Sequence, residues 1–481
     1  MTRDRRRILM ICAHEPSLDP RIRWEAESAA RQFDVTVLGF NRDDGFRPAV
    51  ETVHGYRVRH LVRPRVSGLA YLWRLKDALP LAVSRLLAPF VVLSAPAIVA
   101  GERLGGALRG AARQSSGGNS PSRLRSVLGA MRRGLAGRIE HVLTVLRVQF
   151  APASVAFCKY LRALPEKPDI VHCNDLDTLL VGVIAKQRYG CHLVYDAHEF
   201  YPFSDPHGNW LDSGFFSVVE RVLIRRADAV VTVNPPLAEA MRDAYGIDRV
   251  YAVPNAEPWV YDRSAPAAPS EIDALARGRV KFLFQGRFTP GRGIDELIDA
   301  WAGVDAERAA LFLRGPENIW KHAAIERAAR LGLLGRGIYF LDAVGEDELV
   351  AAAAEADVGV IPYKPAILND RLSCPNKLSQ YLHAGLMVLA NDLPYVTSVL
   401  REARAGAFYS SAEPKTLAEA VGQLVGNPEL LAEGRRNALR FARDRFNWQV
   451  QGETLLALYR AARRSEAAPV PLAVEAPRVS V

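Results

Sequence analysis

Apolar and polar positions alternate in blocks along this chain. In the first half, short apolar runs at 8–13, 35–38, 170–174, 193–198 and 230–234 have the length and composition of buried strands. Helical periods appear at 22–33 and 216–226. The second half alternates more regularly. Strands are predicted at 282–285, 310–314, 338–341, 358–362 and 388–391, with helices at 294–301, 325–331, 346–354 and 378–384. This alternation predicts parallel sheets covered on both faces, each binding ligands beyond the carboxyl ends of its strands. The fold class is therefore α/β, with two Rossmann-like α/β/α domains facing across a cleft. A Pro- and Ala-rich stretch at 254–270 reads as the hinge between them.

Composition adds limits. A chain of 481 residues is too long for one ordinary core, and 49% apolar with 24% charged residues is a globular balance. The five cysteines, Cys12, Cys158, Cys173, Cys191 and Cys374, have neither metal nor disulfide spacing and read as thiols of a reducing compartment. The apolar run that follows the first basic residues is too short for a signal peptide and reads as a first buried strand. The net charge of +9 is unevenly placed. Residues 57–147 hold sixteen Lys and Arg against three acids, a net +13 that leaves the remainder of the chain at −4.

The richest local signal is FLFQGRFTPGRGIDE at 282–296. An apolar strand ends at Gly286, Arg287 and Arg292 occupy a Gly/Pro-rich turn, and Gly293 opens a helix. Two guanidiniums beside a helix N-terminus suit a diphosphate. A surface turn with two solvated arginines is the bland alternative. The pattern resembles the GR-x4-KG signature of the retaining glycosyltransferases of family 4, which have the GT-B fold, with Arg292 where Lys is usual. The resemblance covers most of the chain. VHCNDLDTL (171–179) and LVYDAHEFY (193–201) look like acceptor-domain loops, VPNAEP (253–258) like the interdomain segment, and 447–464 like a final helix that crosses back to the first domain. It implies an acceptor-binding domain at 1–255 with an insertion at about 65–165, and a nucleotide-sugar domain at 256–446; the tail 465–481 lacks helical period and reads as disordered.

The resemblance also implies roles. Gly286, Arg287, Arg292 and Gly293, with Asn376, Lys377 and Gln380 of a PNK-x3-Y segment, are expected around the diphosphate and nucleoside of a UDP- or GDP-linked sugar. Many members carry two glutamates eight positions apart before the small-residue turn His383-Ala384-Gly385; here those positions are Leu372 and Gln380. Gln380 still accepts from and donates to a ribose hydroxyl, whereas Leu372 does neither. His172, Asn174, Asp175 and Glu199 are expected on the acceptor side. Asp175 is the base candidate, because Asn174 takes no proton at neutral pH. His198 is expected at the donor sugar or acceptor. For His172 alone, the reading as an interior polar group is preferred. Preorganised cations stabilise the leaving diphosphate, so no cofactor or metal is expected. Asp175 and Asp177 have Asp-x-Asp spacing but fall on the acceptor side.

A second signal is LPLAVSRLLAPFVVLSAPAIVAG at 79–101. Its charge-free core, 86–100, is shorter than the ~20 residues of a spanning helix and is interrupted by Pro89 and Pro96. Followed by a basic arm, it predicts contact with an anionic membrane surface from the cytoplasmic side, peripheral or monotopic. Nucleic acid is a weaker reading, since aromatic residues are absent between 101 and 141. The expected function is transfer of a sugar to a polyisoprenoid-linked saccharide for a surface polysaccharide. A sugar-nucleotide epimerase or a non-catalytic nucleotide-sugar-binding partner are the alternatives from other classes.

Overall fold

The computed structural model describes residues 5–41, 48–62, 151–204, 210–260, 270–413 and 415–462. The segment 79–101 and most of the basic stretch at 57–147 lie outside them, as does the tail 465–481.

Fourteen strands form two sheets among the described residues. The first contains β1 (Arg7–Ile11), β2 (Asp34–Phe40), β3 (Val50–Val53), β4 (Tyr56–Leu61), β5 (Ile170–Asn174), β6 (His192–Ala197), β7 (Ala229–Thr232) and β8 (Val250–Ala252). Their order is β3-β4-β2-β1-β5-β6-β7-β8, parallel throughout except for the β3–β4 hairpin. The second contains β9 (Val280–Gln285), β10 (Ala309–Arg314), β11 (Ile338–Leu341), β12 (Val358–Ile361), β13 (Met387–Ala390) and β14 (Gly406–Phe408). Its order, β11-β10-β9-β12-β13-β14, is parallel throughout. Each order reverses once, between β1 and β5 and between β9 and β12. A crevice opens at such a reversal, beyond the carboxyl ends of the strands, because the flanking connections leave in opposite directions.

Central strands such as β5, β10, β12 and β13 are buried at every residue, which explains their near-continuous apolar runs. The elements that sequence reading missed lack such runs. β3 and β4 alternate, β8 has three residues, and β14 has three half-buried ones. The helix Pro428–Asp444 was also missed, and Ile319–Arg330 starts six residues before its predicted beginning, at the cap Asn318, which accepts from the Trp320 and Lys321 N–H groups.

The helix Trp448–Ala461 lies on the first sheet's side. Asn447 caps it by accepting from the Val450 N–H at 3.0 Å. Trp448 packs on Trp24 of the helix Pro20–Ala30, with ring centroids 5.7 Å apart, and its Nε1–H donates to Ser28 Oγ at 2.8 Å. Between the sheets, the Phe200 N–H donates to Asn369 Oδ1 at 2.8 Å, and Asn234 donates to the Leu372 carbonyl. Leu372 thus joins the two halves through its backbone while its side chain packs on the core.

Trp448 is 3% exposed. Trp448→Ala is expected to destabilise the protein by about 3–5 kcal/mol, read from the midpoint of chemical denaturation, with little loss for Val450→Ala on the exposed side of the same helix.

Candidate active site

At the carboxyl end of β9 the chain makes a turn that only glycine fits. Gly286 has φ +138°, and a Cβ there would come within 2.5 Å of Lys377 Nζ. Gly293, at φ +69°, sits so close to the chain after β12 that a Cβ would lie 1.8 Å from the Pro362 carbonyl oxygen. These contacts pull three segments together: the Gly286–Gly293 turn, the end of β12, and the start of the helix Asn376–Ala384.

The result is a cationic cradle. Lys377 Nζ donates to the Tyr363 hydroxyl at 2.9 Å, and the Arg292 guanidinium lies over the Tyr363 ring, 4.3 Å from its centroid. Burial alone would raise the Tyr363 phenol, but Lys377 and Arg292 pull it below its ordinary value. Two positive charges therefore converge on Tyr363 and outweigh the opposing charge of Asp370. Arg287 is exposed and has no ion pair or hydrogen bond among the described residues. Asn376 opens the helix, and Gln380 lies one turn further in, bonded to Gln285 Nε2 at 3.3 Å. Sequence reading missed Tyr363, whose only sequence signal is its place just after a strand at the sheet's reversal point.

On the facing wall, His198 follows β6. Its backbone N–H donates to Asp175 Oδ1 at 3.1 Å, and its Nε2–H donates to Asp196 Oδ2 at 3.2 Å. Nδ1 lies 3.3 Å from Asp19 and 3.6 Å from Asp175. Burial opposes protonation, but the carboxylates of Asp175, Asp196 and Asp19 outweigh it and hold the imidazole well above its ordinary pKa. His198 is thus a fixed cation and proton donor at neutral pH. Asp175 has φ 62° and ψ 167°, a region almost reserved for glycine, and such strain costs about 1–3 kcal/mol. Its backbone N–H to the Asp196 carbonyl, at 2.8 Å, helps hold that geometry. Burial raises its carboxyl, against the pull of His198, which brings it nearer to the range of a neutral-pH base. His198 and Asp19, with His14, Asn255 and Asn376, line a cavity of about 360 Å³ between the two sheets.

Glu199 is solvent-accessible at the cleft. Enclosure on its protein side and the Asp175 charge lift its carboxyl to about 6, while His198 and Arg292 act in the other direction. His172 and Asn174 do not reach the cleft. Asn174 is 1% exposed and donates to the Ile11 carbonyl at 3.3 Å. His172 is enclosed, with Nδ1 2.8 Å from the Tyr459 hydroxyl and Nε2 3.2 Å from Glu25. His172 points from the strand body into the packing between the sheet and the helix Trp448–Ala461, and Asn174 is turned onto the neighbouring strand.

Behind His198, Arg21 is 2% exposed and grips both Asp196 oxygens, at 2.8 and 3.1 Å. It also pairs with Glu25 at 3.1 Å and donates to the Val253 carbonyl at 2.7 Å and Asn255 Oδ1 at 2.9 Å. Glu25, His172 and Asp196 approach one another closely enough to be metal ligands. The Arg21 guanidinium already pairs with Glu25 and Asp196, and the Tyr459 hydroxyl engages His172, so the set reads as a buried ion network.

Two family profiles match the chain: "Glycosyl transferase 4-like domain" over residues 119–256 and "Glycosyl transferases group 1" over residues 279–427. Together with the fold, they show that the chain belongs to the family 4, group 1 glycosyltransferases of GT-B fold. It is 27% identical over 316 residues to a D-inositol 3-phosphate glycosyltransferase of Nocardia farcinica, covering 63% of this chain and 68% of the relative. It is 25% identical over 321 residues to an alpha-maltose-1-phosphate synthase of Mycolicibacterium smegmatis, covering 61% and 79%. Among solved structures it is similar to a sucrose-phosphate synthase of Thermosynechococcus elongatus, with TM-score 0.62, 15% identity, and 95% and 98% of the two chains covered. Anabaena HepE in complex with UDP-glucose superposes with TM-score 0.59 at 15% identity, covering 95% and 99%.

The buried network carries a pH signature. The pairing of His172 with Glu25 and Asp196 overcomes burial and raises its pKa to about 9. With an unfolded value near 6.5, this contribution is complete below about pH 6.5 and is lost as pH rises through about 9. Stability measured by urea denaturation is expected to fall between pH 6.5 and 9.5, and to fall less steeply in His172→Gln.

Proposed function

We propose that this glycosyltransferase moves a sugar, with retention, from a UDP-linked donor to a lipid-linked saccharide at the cytoplasmic face of a membrane, in the synthesis of a surface polysaccharide or glycolipid. The observation that carries the donor half is the convergence of Arg292 and Lys377 on Tyr363 at the reversal point of the second sheet. Bond breaking builds charge on the departing diphosphate. Fixed cations at that point lower the barrier most, because they need no reorganisation when the charge appears. Arg287, exposed at the same turn, adds a third positive group, and together the three supply the charge that a metal supplies elsewhere. UDP is favoured over GDP by the likeness to HepE, whose structure holds UDP-glucose.

The acceptor half has two supports of different kind. The strained Asp175 beside cationic His198 offers a base and a hydrogen-bond donor on the facing wall. The apolar and basic segment at 79–101 and beyond supports a membrane-bound acceptor and peripheral attachment. No helix among the described residues is long and apolar enough to cross a membrane. A second reading, a phosphorylated small-molecule acceptor, is favoured by relatives named for D-inositol 3-phosphate and maltose-1-phosphate.

The test uses UDP-glucose, UDP-N-acetylglucosamine and GDP-mannose with three acceptors: a polyisoprenoid-linked saccharide, inositol phosphate and glucose 1-phosphate. Transfer from a UDP-sugar to the lipid-linked acceptor is expected. Transfer to a phosphorylated small molecule alone would overturn the lipid reading. Arg292→Ala and Lys377→Ala are each expected to lower kcat/KM roughly a hundredfold, equivalent to about 3 kcal/mol of transition-state stabilisation.

A further inference from the structure

Between Tyr363 and Lys377, the two ends of the cationic cradle, the chain makes an excursion toward the first sheet. Residues 364–375 contain the short helix Leu368–Arg371 and return into the helix Asn376–Ala384. Among the described residues, the excursion bonds to the first half of the molecule at three points. Asn234, fully buried and capping the helix Pro235–Tyr245 by accepting from the Leu237 N–H at 2.8 Å, donates to the Leu372 carbonyl. Asn255, on the segment that leaves the first sheet, donates to the Cys374 carbonyl at 3.5 Å. Both contacts use backbone oxygens, so the side chains at 372 and 374 do not make them. The third runs the other way: the side-chain Oδ1 of Asn369 accepts from the Phe200 N–H at 2.8 Å.

Phe200 follows His198 and Glu199, and the two halves bracket that dipeptide. At its entry the His198 N–H donates to Asp175 Oδ1 of the first half at 3.1 Å, and at its exit the Phe200 N–H donates to Asn369 of the second. The Phe200 ring is 2% exposed and lies against Phe203 and Tyr245, with centroids 4.7 and 6.0 Å away. With its ring packed and its N–H engaged, the peptide after Glu199 is fixed; without the acceptor it regains freedom. Glu199 stands between the walls. Its carboxyl responds to burial, to Asp175 and His198 beside it, and to Arg292 and Asp370 across the cleft.

We propose that Asn369 is a positioning residue for sugar transfer, setting His198 and Glu199 against the donor cradle by accepting the Phe200 N–H. The inference rests on the reading of the chain as an enzyme that uses a nucleoside diphosphate sugar. An anion drawn onto Arg292 and Lys377 fixes the excursion at both ends, because Tyr363 touches both cations at one end and Lys377 itself begins the return at the other. Asn369 carries that order to the facing wall. An amide suits the place, since it accepts a hydrogen bond without adding charge beside Glu199 and Asp370. Reacting groups misplaced by about 1 Å can lose roughly a hundredfold in rate, so a hydrogen bond at this point counts for more than its share of stability.

Hydrogen exchange of the full chain with and without UDP tests this in the absence of any acceptor. In the wild type, UDP is expected to slow exchange in peptides covering both 364–375 and 198–204. In Asn369→Ala, UDP is expected to bind within about twofold of the wild-type Kd and still protect 364–375, while the protection of 198–204 is lost. Unchanged exchange at 198–204 in the UDP-bound wild type overturns the role, as does protection there that survives in Asn369→Ala. In transfer from UDP-glucose, Asn369→Ala is expected to lower kcat at least roughly tenfold with little change in the donor KM. Asn369→Asp keeps an acceptor oxygen and is expected to recover most of that kcat; a value no better than that of Asn369→Ala also overturns the role. The wild-type exchange comparison stands even where a variant fails to fold. Absence of any UDP, UDP-glucose or GDP binding would instead sink the donor reading on which the role depends.

Discussion

The buried pair of Arg21 and Asp196 is the interaction from which the rest of the site hangs. Two unit charges withdrawn from water are expensive unless every donor and acceptor is used. Here the guanidinium engages Asp196 twice, Glu25 once, and the interdomain segment through the Val253 carbonyl and Asn255. Asp196 uses its remaining capacity on His198. One ion pair thereby fixes the rotamer of a cleft histidine and the path of the chain leaving the first sheet. The helix Pro20–Ala30 supplies Arg21 and Glu25 one turn apart, and it is also the helix on which Trp448 packs. The electrostatic node and the C-terminal closure of the molecule are therefore mechanically continuous.

The second sheet depends on steric limits. The turn after β9 approaches the Pro362 backbone more closely than any side chain permits, and a Cβ on residue 315 would lie 2.1 Å from the Gly286 carbonyl oxygen. Tyr363 adds a hydrogen bond to Lys377 and a ring face to Arg292, which hold those two cations. A rigid cradle suits a leaving group whose charge appears only as the bond breaks, since the field is in place beforehand. The facing wall follows a different rule. His198 is held by carboxylates and strained backbone at Asp175, so its geometry depends on charge balance.

How much of this was legible in the sequence follows from the same physics. Strands buried on both faces announce themselves as apolar runs, so β1, β5, β9, β10, β12 and β13 were readable, while β3, β8 and β14 were not. The glycine–arginine turn was readable because its residue types are rare together and each has a steric or electrostatic reason. Tyr363 and Arg21 were opaque in the sequence because their places come from tertiary approach: a ring under a guanidinium, and a salt bridge 175 positions away. His172 shows the converse. A histidine inside an apolar run is compatible with either a cleft or an interior position, and the helix carrying Tyr459 decides between them.

The departure at 372 and 380 then acquires a physical sense. Leu372 does its work through a carbonyl that accepts from Asn234, and its side chain joins the core, so a carboxylate there would enter a largely apolar setting between the two halves. Gln380 is 6% exposed and lies against Gln285, another amide. A glutamate at 380 would set a second carboxylate beside Glu257, whose own carboxyl burial already raises. The two halves of the cleft differ in sign: cations that outweigh Asp370 at the turn after β9, and a histidine cation among carboxylates on the facing wall.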